Sequence, residues 1–486
     1  MNYLKLTFLL PLSFLFLNSC SSSSDDDTRS FRNENCEFFD NGSRNNFSPD
    51  NVNAFLFFGL DVYYLFKEDQ EAFFQDSSEL INSDLSPEEF FETITIEEDR
   101  FSFLVSDFQA LQDSFVGTSV TDGIDLNLFF IDENEFDVVA SVNYVATGSP
   151  GDLAGIRRGD FFTTINGINL NSNNFRDLLS LDNYQVELLS SNSFENTFTP
   201  IGTTNVTKIE FTENPILLST VINSGGLQIG YIVYNSFIRG SQNELNEIFG
   251  SFRDAGIDEL ILDLRYNGGG SIATAVDLCG MITGQFNDEI IINEQWNCEI
   301  QNSIIDSGNE ESLNTRFRNT LSEGETNLNS LNLDQVYIIS SKNRTASASE
   351  LVINGLSPYI NVVHVGNFRG TVGKSQASIT LYDSPNFRFT DEINTAHTYA
   401  IQPSVFSSAN SNGTIVPNDG LIPDINAIEN AFELGVLGSQ NEPLLQAALN
   451  DISGNSFSAR RTATKSVGNY LSSSKENSPS YQKMYK

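Results

Sequence analysis

The chain has 486 residues, 39% of them hydrophobic, which is enough for two or three cored domains. Lys and Arg number 26 against 64 Asp and Glu, a formal net charge of −38 that makes nucleic acid and anionic membrane surfaces poor partners. With only 2 histidines and neither a CxxC nor an HExxH pattern, no metal site and no cofactor is expected.

At the N-terminus, Lys5 precedes an apolar run from Leu6 to Leu17, closed by Asn18-Ser19-Cys20. The run is short for a membrane span and fits a signal-peptide core over residues 1–19. Small residues before a cysteine resemble the bacterial lipobox, which implies that Cys20 becomes a lipid-bearing N-terminus. Ser21 to Ser24 and Asp25-Asp26-Asp27 read as a solvated tether within residues 20–50. An acidic run after such a cysteine resembles the surface-export signal of Bacteroidetes lipoproteins. The expected location is therefore the outer membrane, on its periplasmic face or at the cell surface.

Residues 51–115 form an acidic region rich in Phe and Tyr, where Phe55, Phe58, Val62 and Phe66 recur at helical spacing. This pattern predicts a helical cap whose aromatic residues pack. Residues 116–205 form the next unit. Gly159-Asp160 opens a strand that ends in the hairpin turn Asn166-Gly167, and Gly148-Ser149-Pro150-Gly151 sets a short helix.

Residues 206–450 alternate helix and strand: helix Asn243 to Ala255, strand Glu259 to Leu264, helix Ser271 to Ile282. The strand runs into Asp263-Leu264-Arg265-Tyr266-Asn267-Gly268-Gly269-Gly270, a turn able to present backbone N–H groups to an anion. No lysine follows the glycines at Walker spacing, which argues against a phosphate loop. Residues 300–330 are polar and read as an inserted surface loop able to cover a cleft. Next comes the strand Gln335 to Ser340, then Thr345-Ala346-Ser347-Ala348-Ser349-Glu350 at the start of a helix ending near Leu356. A hydroxyl at a helix N-terminus has nearby amides for a developing oxyanion. It becomes a nucleophile once a base removes its proton, and a buried lysine such as Lys374, after Gly373, can do so. Of the histidines, His364 lies in the apolar run Val362 to Val365, and His397 lies in a polar stretch with no nucleophile motif nearby. Residues 451–486 are rich in Ser, Lys and Arg and read as a disordered tail. Cys279 and Cys298 form one candidate disulfide that would leave Cys36 unpaired, although spacing does not fix the pairing.

The strand-end motif Asp263-Leu264-Arg265-x-Asn267-x-Gly269-Gly270, the segment Ser347-Ala348-Ser349-Glu350 and the later Gly373-Lys374 together resemble the S41 peptidases, the tail-specific or C-terminal processing proteases. Asp99-Arg100-Phe101-Ser102-Phe103, Gly420 to Ile425 and Pro443 to Leu449 match further family segments in the same order. Gly148 to Asp160 with Ile165-Asn166-Gly167 resembles the heart of a PDZ domain, which binds chain ends as an added strand.

The resemblance implies a multidomain α+β protein: a helical N-terminal cap, a PDZ domain and an α/β catalytic domain of the ClpP/crotonase-like S41 type. It implies a serine endopeptidase acting on unfolded or C-terminally exposed polypeptides. Ser347 would be the nucleophile, with Ser349 the alternative, and Lys374 the general base. The amides of Ala348 and Gly269 would be oxyanion donors, with Gly270 the fallback. Gly123, Ile124, Asp125 and Leu126 would form the loop that takes a substrate's terminal carboxylate. Many members carry a glutamine where this chain has Ser378, and Gln376 lies two residues earlier. A peptide-binding surface lipoprotein with impaired turnover is the alternative reading.

Overall fold

The computed structural model describes residue 33 and residues 36–131, 134–192, 197–454, 467–476 and 481–486. The signal run, Cys20 and most of the tether lie outside the described residues, and no helix among the described residues is long and apolar enough to cross a membrane.

The cap begins with helix α1 (Val52–Tyr63), where the Asn51 side chain accepts the Ala54 N–H. Its segment Asn53 to Leu60 is buried throughout, so α1 is a core helix. Helix α2 (Pro87–Ile94) starts with Ser86 and Glu89 reciprocally capping and Pro87 in the first turn. Phe55, Phe57, Phe90 and Ile94 belong to the same apolar cluster as Leu262, Ile338 and Leu351 of the later sheet and helices. The cap is thus fused to the α/β core.

Strand β1 (Ile124–Phe130) pairs antiparallel with β2 (Val138–Val145). These join the strands between Phe161 and Thr207, and helix α3 (Phe175–Ser180) packs Phe175 onto the resulting core.

The third unit is a sheet of six strands among the described residues. Its order is Ile216–Ser224, β3 (Leu227–Tyr234), β4 (Glu259–Asp263), β5 (Gln335–Ile339), β6 (Asn361–Gly366) and Ile425–Asn426. From β3 onward every pairing is parallel, and the strands are apolar on both faces because helices cover both. Helix α4 (Gln242–Ala255) ends at Gly256, whose φ of 64° only glycine adopts cheaply. Helix α5 (Ile272–Thr283) follows the glycine turn, and α6 (Ala348–Leu356) follows β5. A second sheet includes β7 (Gln376–Ser378) beside Ser404–Ala409. The functional turns therefore lie at the C-terminal ends of β4 and β5, where parallel sheets open a crevice.

Three expectations are corrected. Residues 300–330 are not a free loop over the cleft. Helix Cys298–Asp306 and strand Asn314–Arg316 occupy the start, and Asp277 of α5 holds Arg318 and Ser322. The disulfide joins Cys36 to Cys298, stapling the tether to the α/β unit, while Cys279 is a buried free thiol inside α5. The 451–486 region, read as disordered, starts within helix Pro443–Ile452 and later contributes two strands, β8 (Tyr470–Ser473) and β9 (Met484–Tyr485). β8 pairs with β1, and β9 pairs with Gly270–Ser271 and with β7. Among the described residues 467–476 and 481–486, Val467, Met484 and Tyr485 are buried, and the rest are held by edges that other elements supply.

Candidate active site

Two turns meet at the crevice. The first leaves β4 through Asp263 and Arg265, both fully buried. Arg265 donates to both Asp263 oxygens and forks onto Glu442, with Nη1 at 2.5 Å and Nη2 at 2.9 Å, while Glu429 accepts at 3.0 Å. Desolvation works against the charge on Glu429, but the guanidiniums of Arg158 and Arg265 hold its carboxyl down at about 2. Every charge here is matched, as a buried ion network requires. The network anchors the turn and the start of helix Pro443–Ile452, where Glu442 also accepts the Leu445 N–H.

The turn is locked by Asn267, whose side chain donates to Tyr234 O and accepts the Gly269 N–H at 2.8 Å. Gly269 must be glycine for space: a Cβ there would lie 2.6 Å from Ser347 Cβ, 2.8 Å from Ser347 Oγ and 2.6 Å from Lys483 O. Phe237 bonds to Gly269 O and to the Ser271 N–H. In a parallel ladder this leaves the N–H and C=O of Gly270 facing β9. Of the two turn amides proposed as oxyanion donors, Gly269 is committed to Asn267 and Gly270 faces the last strand.

The second turn carries Ser347. Thr345 Oγ1 donates to Leu264 O at 2.9 Å and ties the two turns together. Ser347 has φ 65° and ψ −119°, a region that costs a side-chain-bearing residue about 1–3 kcal/mol. It is fully buried at the N-terminus of α6, next to the Ala348 amide, and among the described residues its Oγ has no hydrogen-bond partner. Ser349 differs, since its hydroxyl donates to Asn267 O at 3.1 Å.

Glu350 joins the Ser347 turn to the Lys374 loop. Its Oε2 accepts the N–H of Ser347 and the N–H of Lys374, both at 2.8 Å, and its Oε1 accepts Gly373 N–H at 2.7 Å and the Thr371 hydroxyl. Lys374 is fully buried. Desolvation brings its ammonium down to about 7, against partial support from Asp99 and Glu350. Its Nζ donates to Gln376 O at 2.5 Å and sits 4.8 Å from the Phe101 ring centroid. It makes no bond to Ser347 in this state. Gln376 Oε1 and Ser378 Oγ are buried without partners among the described residues.

His364 and His397 lie elsewhere. His364 bonds to Ser340 Oγ at 2.6 Å, and burial lowers it to about 4. His397 bonds to Asp383 at 3.1 Å and stacks on Phe55 in the cap.

Four residues at the site carry roles that motif reading alone did not assign. Asp99 Oδ1 caps the N–H groups of Phe101 and Ser102, and Arg100 Nη2 reaches Gly373 O at 3.0 Å, clamping the loop before Lys374. The motif itself was visible. Asn235 is buried in the cleft with Gly268 and Gly269, and its amide O and N both lack partners among the described residues. Lys483 lies with Nζ 3.7 Å over the Phe103 ring, lowered to about 7 by burial and by Lys374. It was hidden in the region read as disordered.

The proposed carboxylate loop is differently engaged. Gly123 N–H bonds to Thr121 Oγ1 and Ile124 N–H to Asp122 Oδ1, so neither amide points into an open cradle. Asp125 is fully buried and pairs with Arg344, so it is a salt-bridge partner and not part of an anion cradle. Leu126 exchanges bonds with Ser474: its N–H donates to Ser474 Oγ at 2.9 Å, and its O accepts Ser474 N–H at 3.1 Å.

Comparison with known proteins agrees with this architecture. Residues 228–427 match peptidase family S41, and residues 141–190 match the PDZ domain. A curated relative, the chloroplastic C-terminal processing peptidase of Tetradesmus obliquus, is 26% identical over 192 residues. That match covers 36% of this chain and 40% of the relative's length. Among solved structures, a putative S41 protease from Bacteroides fragilis NCTC 9343 superposes with a TM-score of 0.65 at 24% identity, covering 82% of this chain and 97% of the other. The likeness to that structure is one of fold. The chain thus carries, in this order, a PDZ unit over residues 141–190 and a unit of the peptidase family S41 type over residues 228–427.

Proposed function

We propose that this protein is a serine endopeptidase that cleaves unfolded or C-terminally exposed polypeptides through Ser347 and Lys374. The observation that carries the reading is the Glu350 carboxylate, which holds the backbone of a strained, unpartnered serine and that of a buried lysine on one side chain. A lysine held near 7 is partly neutral at working pH and able to accept a proton.

In the reaction, Lys374 Nζ leaves Gln376 O and takes the proton of Ser347 Oγ as that oxygen attacks the peptide carbonyl carbon. The oxyanion forms at the N-terminus of α6, where the Ala348 amide stabilises it. Lys374 then gives its proton to the leaving amine, and water hydrolyses the acyl-serine by the reverse path. Asn235, with a free amide in the cleft, would bond the substrate backbone.

The test is casein cleavage by the protein, beside Ser347→Ala and Lys374→Ala. Loss of activity in both folded variants is expected. Activity that survives Ser347→Ala and disappears in Ser349→Ala would move the nucleophile. No cleavage by the unsubstituted protein under any condition would leave the peptide-binding alternative.

Location is a separate part of the reading. The apolar run before Cys20 supports lipidation at that cysteine and an outer-membrane position. Mass spectrometry of the N-terminal peptide checks this, together with loss of membrane association in Cys20→Ser.

A further inference from the structure

One segment of the chain occupies both the PDZ edge and the catalytic crevice. β8 lies antiparallel on β1, with Tyr470 opposite Phe129, Ser472 opposite Leu128 and Ser473 opposite Asn127. Leu471 packs on the core of the PDZ unit, and Phe130 N–H donates to Asn469 O at 2.9 Å. The strand runs toward the Gly123–Leu126 loop and closes with the paired Leu126–Ser474 bonds. This is strand addition, the way an extended polypeptide docks on an open sheet edge.

The same segment then crosses the crevice. Tyr481 donates to Asn343 O at 2.9 Å, and β9 lies between Gly270–Ser271 and β7. Lys483 O and Ser347 Oγ both lie within 2.8 Å of the point where a Gly269 side chain would begin. Lys483 O and the Ser347 hydroxyl therefore lie against the same turn. Met484 is fully buried in the main core.

Arg344 links the two docking sites. Its guanidinium bonds Asp125 and Asn127 of β1 and Ser473 of β8, and it lies 5.8 Å from the Tyr481 ring centroid. Its own backbone belongs to the turn that presents Ser347.

We propose that residues 467–476 and 481–486 form a built-in occupant of the enzyme. An incoming extended polypeptide takes the β1 edge, strips β8 from it, and thereby withdraws Lys483 and β9 from Ser347. The inference rests on the peptidase reading for its consequence, although the displacement itself can be measured without catalysis.

Three variants test it. Ser474→Pro removes both the N–H and the Oγ that bond Leu126, and should expose the segment to hydrogen exchange and raise casein cleavage roughly tenfold. A second variant combines Phe129→Cys with Tyr470→Cys, which face each other across the two strands. Oxidised, it should lose casein cleavage, and reduction should restore it, with the unsubstituted protein under both conditions as control for Cys36–Cys298. In Ser347→Ala, added casein should remove hydrogen-exchange protection from β8 and β9.

Retained protection in that last experiment overturns the proposal whether or not the protein is a peptidase. Release of the segment in Ser474→Pro with unchanged turnover, in a protein that does cleave casein, also overturns it. So does mass-spectrometric evidence that Ser347 cuts the segment itself, which would make it a substrate. Absence of casein cleavage in all variants, with displacement still seen in Ser347→Ala, would instead count against the peptidase reading alone.

Discussion

The Asp263–Arg265–Glu442 cluster and the Ser347–Lys374 pair lie on either side of the glycine turn, both fully buried, and obey opposite rules. In the first, each carboxylate oxygen of Glu442 meets a guanidinium nitrogen and the geometry is bidentate. In the second, the serine hydroxyl has no partner among the described residues, its backbone is strained, and the lysine is turned to a main-chain carbonyl. Satisfied groups hold a turn in place. Unsatisfied ones are ready to exchange partners, and their cost is carried by the rigid network beside them.

The largest expected effect is on the strained side. Ser347→Gly should reduce casein cleavage by about ten-thousand-fold, since the proposed nucleophile and base act as a unit. The same change should stabilise the fold by about 1 kcal/mol in urea denaturation, because glycine accepts a φ of 65° freely. Lost stability would mean that the Ser347 backbone carries no strain.

Next comes the satisfied side. Arg265→Met leaves Asp263 and Glu442 buried without their cation and should cost about 3–5 kcal/mol, read as a fall in urea midpoint. A loss of under about 1 kcal/mol would mean that water reaches the network.

Glu350→Gln should cut kcat by about 10- to 100-fold with KM little changed, because its amide nitrogen cannot accept the N–H groups of Ser347 and Lys374. An equal rise in KM would point to general loosening of the fold instead.

The smallest effect is the pH response. In the proposed dyad neutral Lys374 is the active form, so kcat/KM should fall about tenfold per pH unit below about 7 and level off above it. Stability carries the matching sign. The folded lysine sheds its proton near 7, whereas the unfolded one holds it up to the ordinary lysine range, so the folded state gains stability as pH rises between those limits. Lys374→Met should remove the Lys374 part of that gain in urea titrations across this window and leave the contribution of Lys483, which titrates in the same range.

Much of the core was readable because it is locally written. Helices Gln242–Ala255 and Ile272–Thr283 and strand Glu259–Asp263 lie within a residue of their predicted limits, since apolar periodicity and Gly256 mark them. The strand-to-helix turn of Ser347 and the glycine turn were visible as motifs for the same reason. Cys36–Cys298 was not, because a disulfide joining distant segments leaves no trace in local spacing. Asp125 could be read as a loop acid until Arg344, far away in the chain, was placed against it.

The sequence alone determined the family motifs, the order of cap, PDZ and α/β units, and the chemical types near the crevice: a serine at a helix start, a lysine after glycine and a glycine-rich turn. Tertiary structure alone decided which serine keeps a free hydroxyl, that Lys374 rests on Gln376 O, and that Met484–Tyr485 forms a strand beside Ser347. The reason is physical. Periodicity and turn chemistry act between near neighbours, whereas burial, partner choice and the pairing of a polar segment with another element's open edge exist only once distant parts of the chain have met.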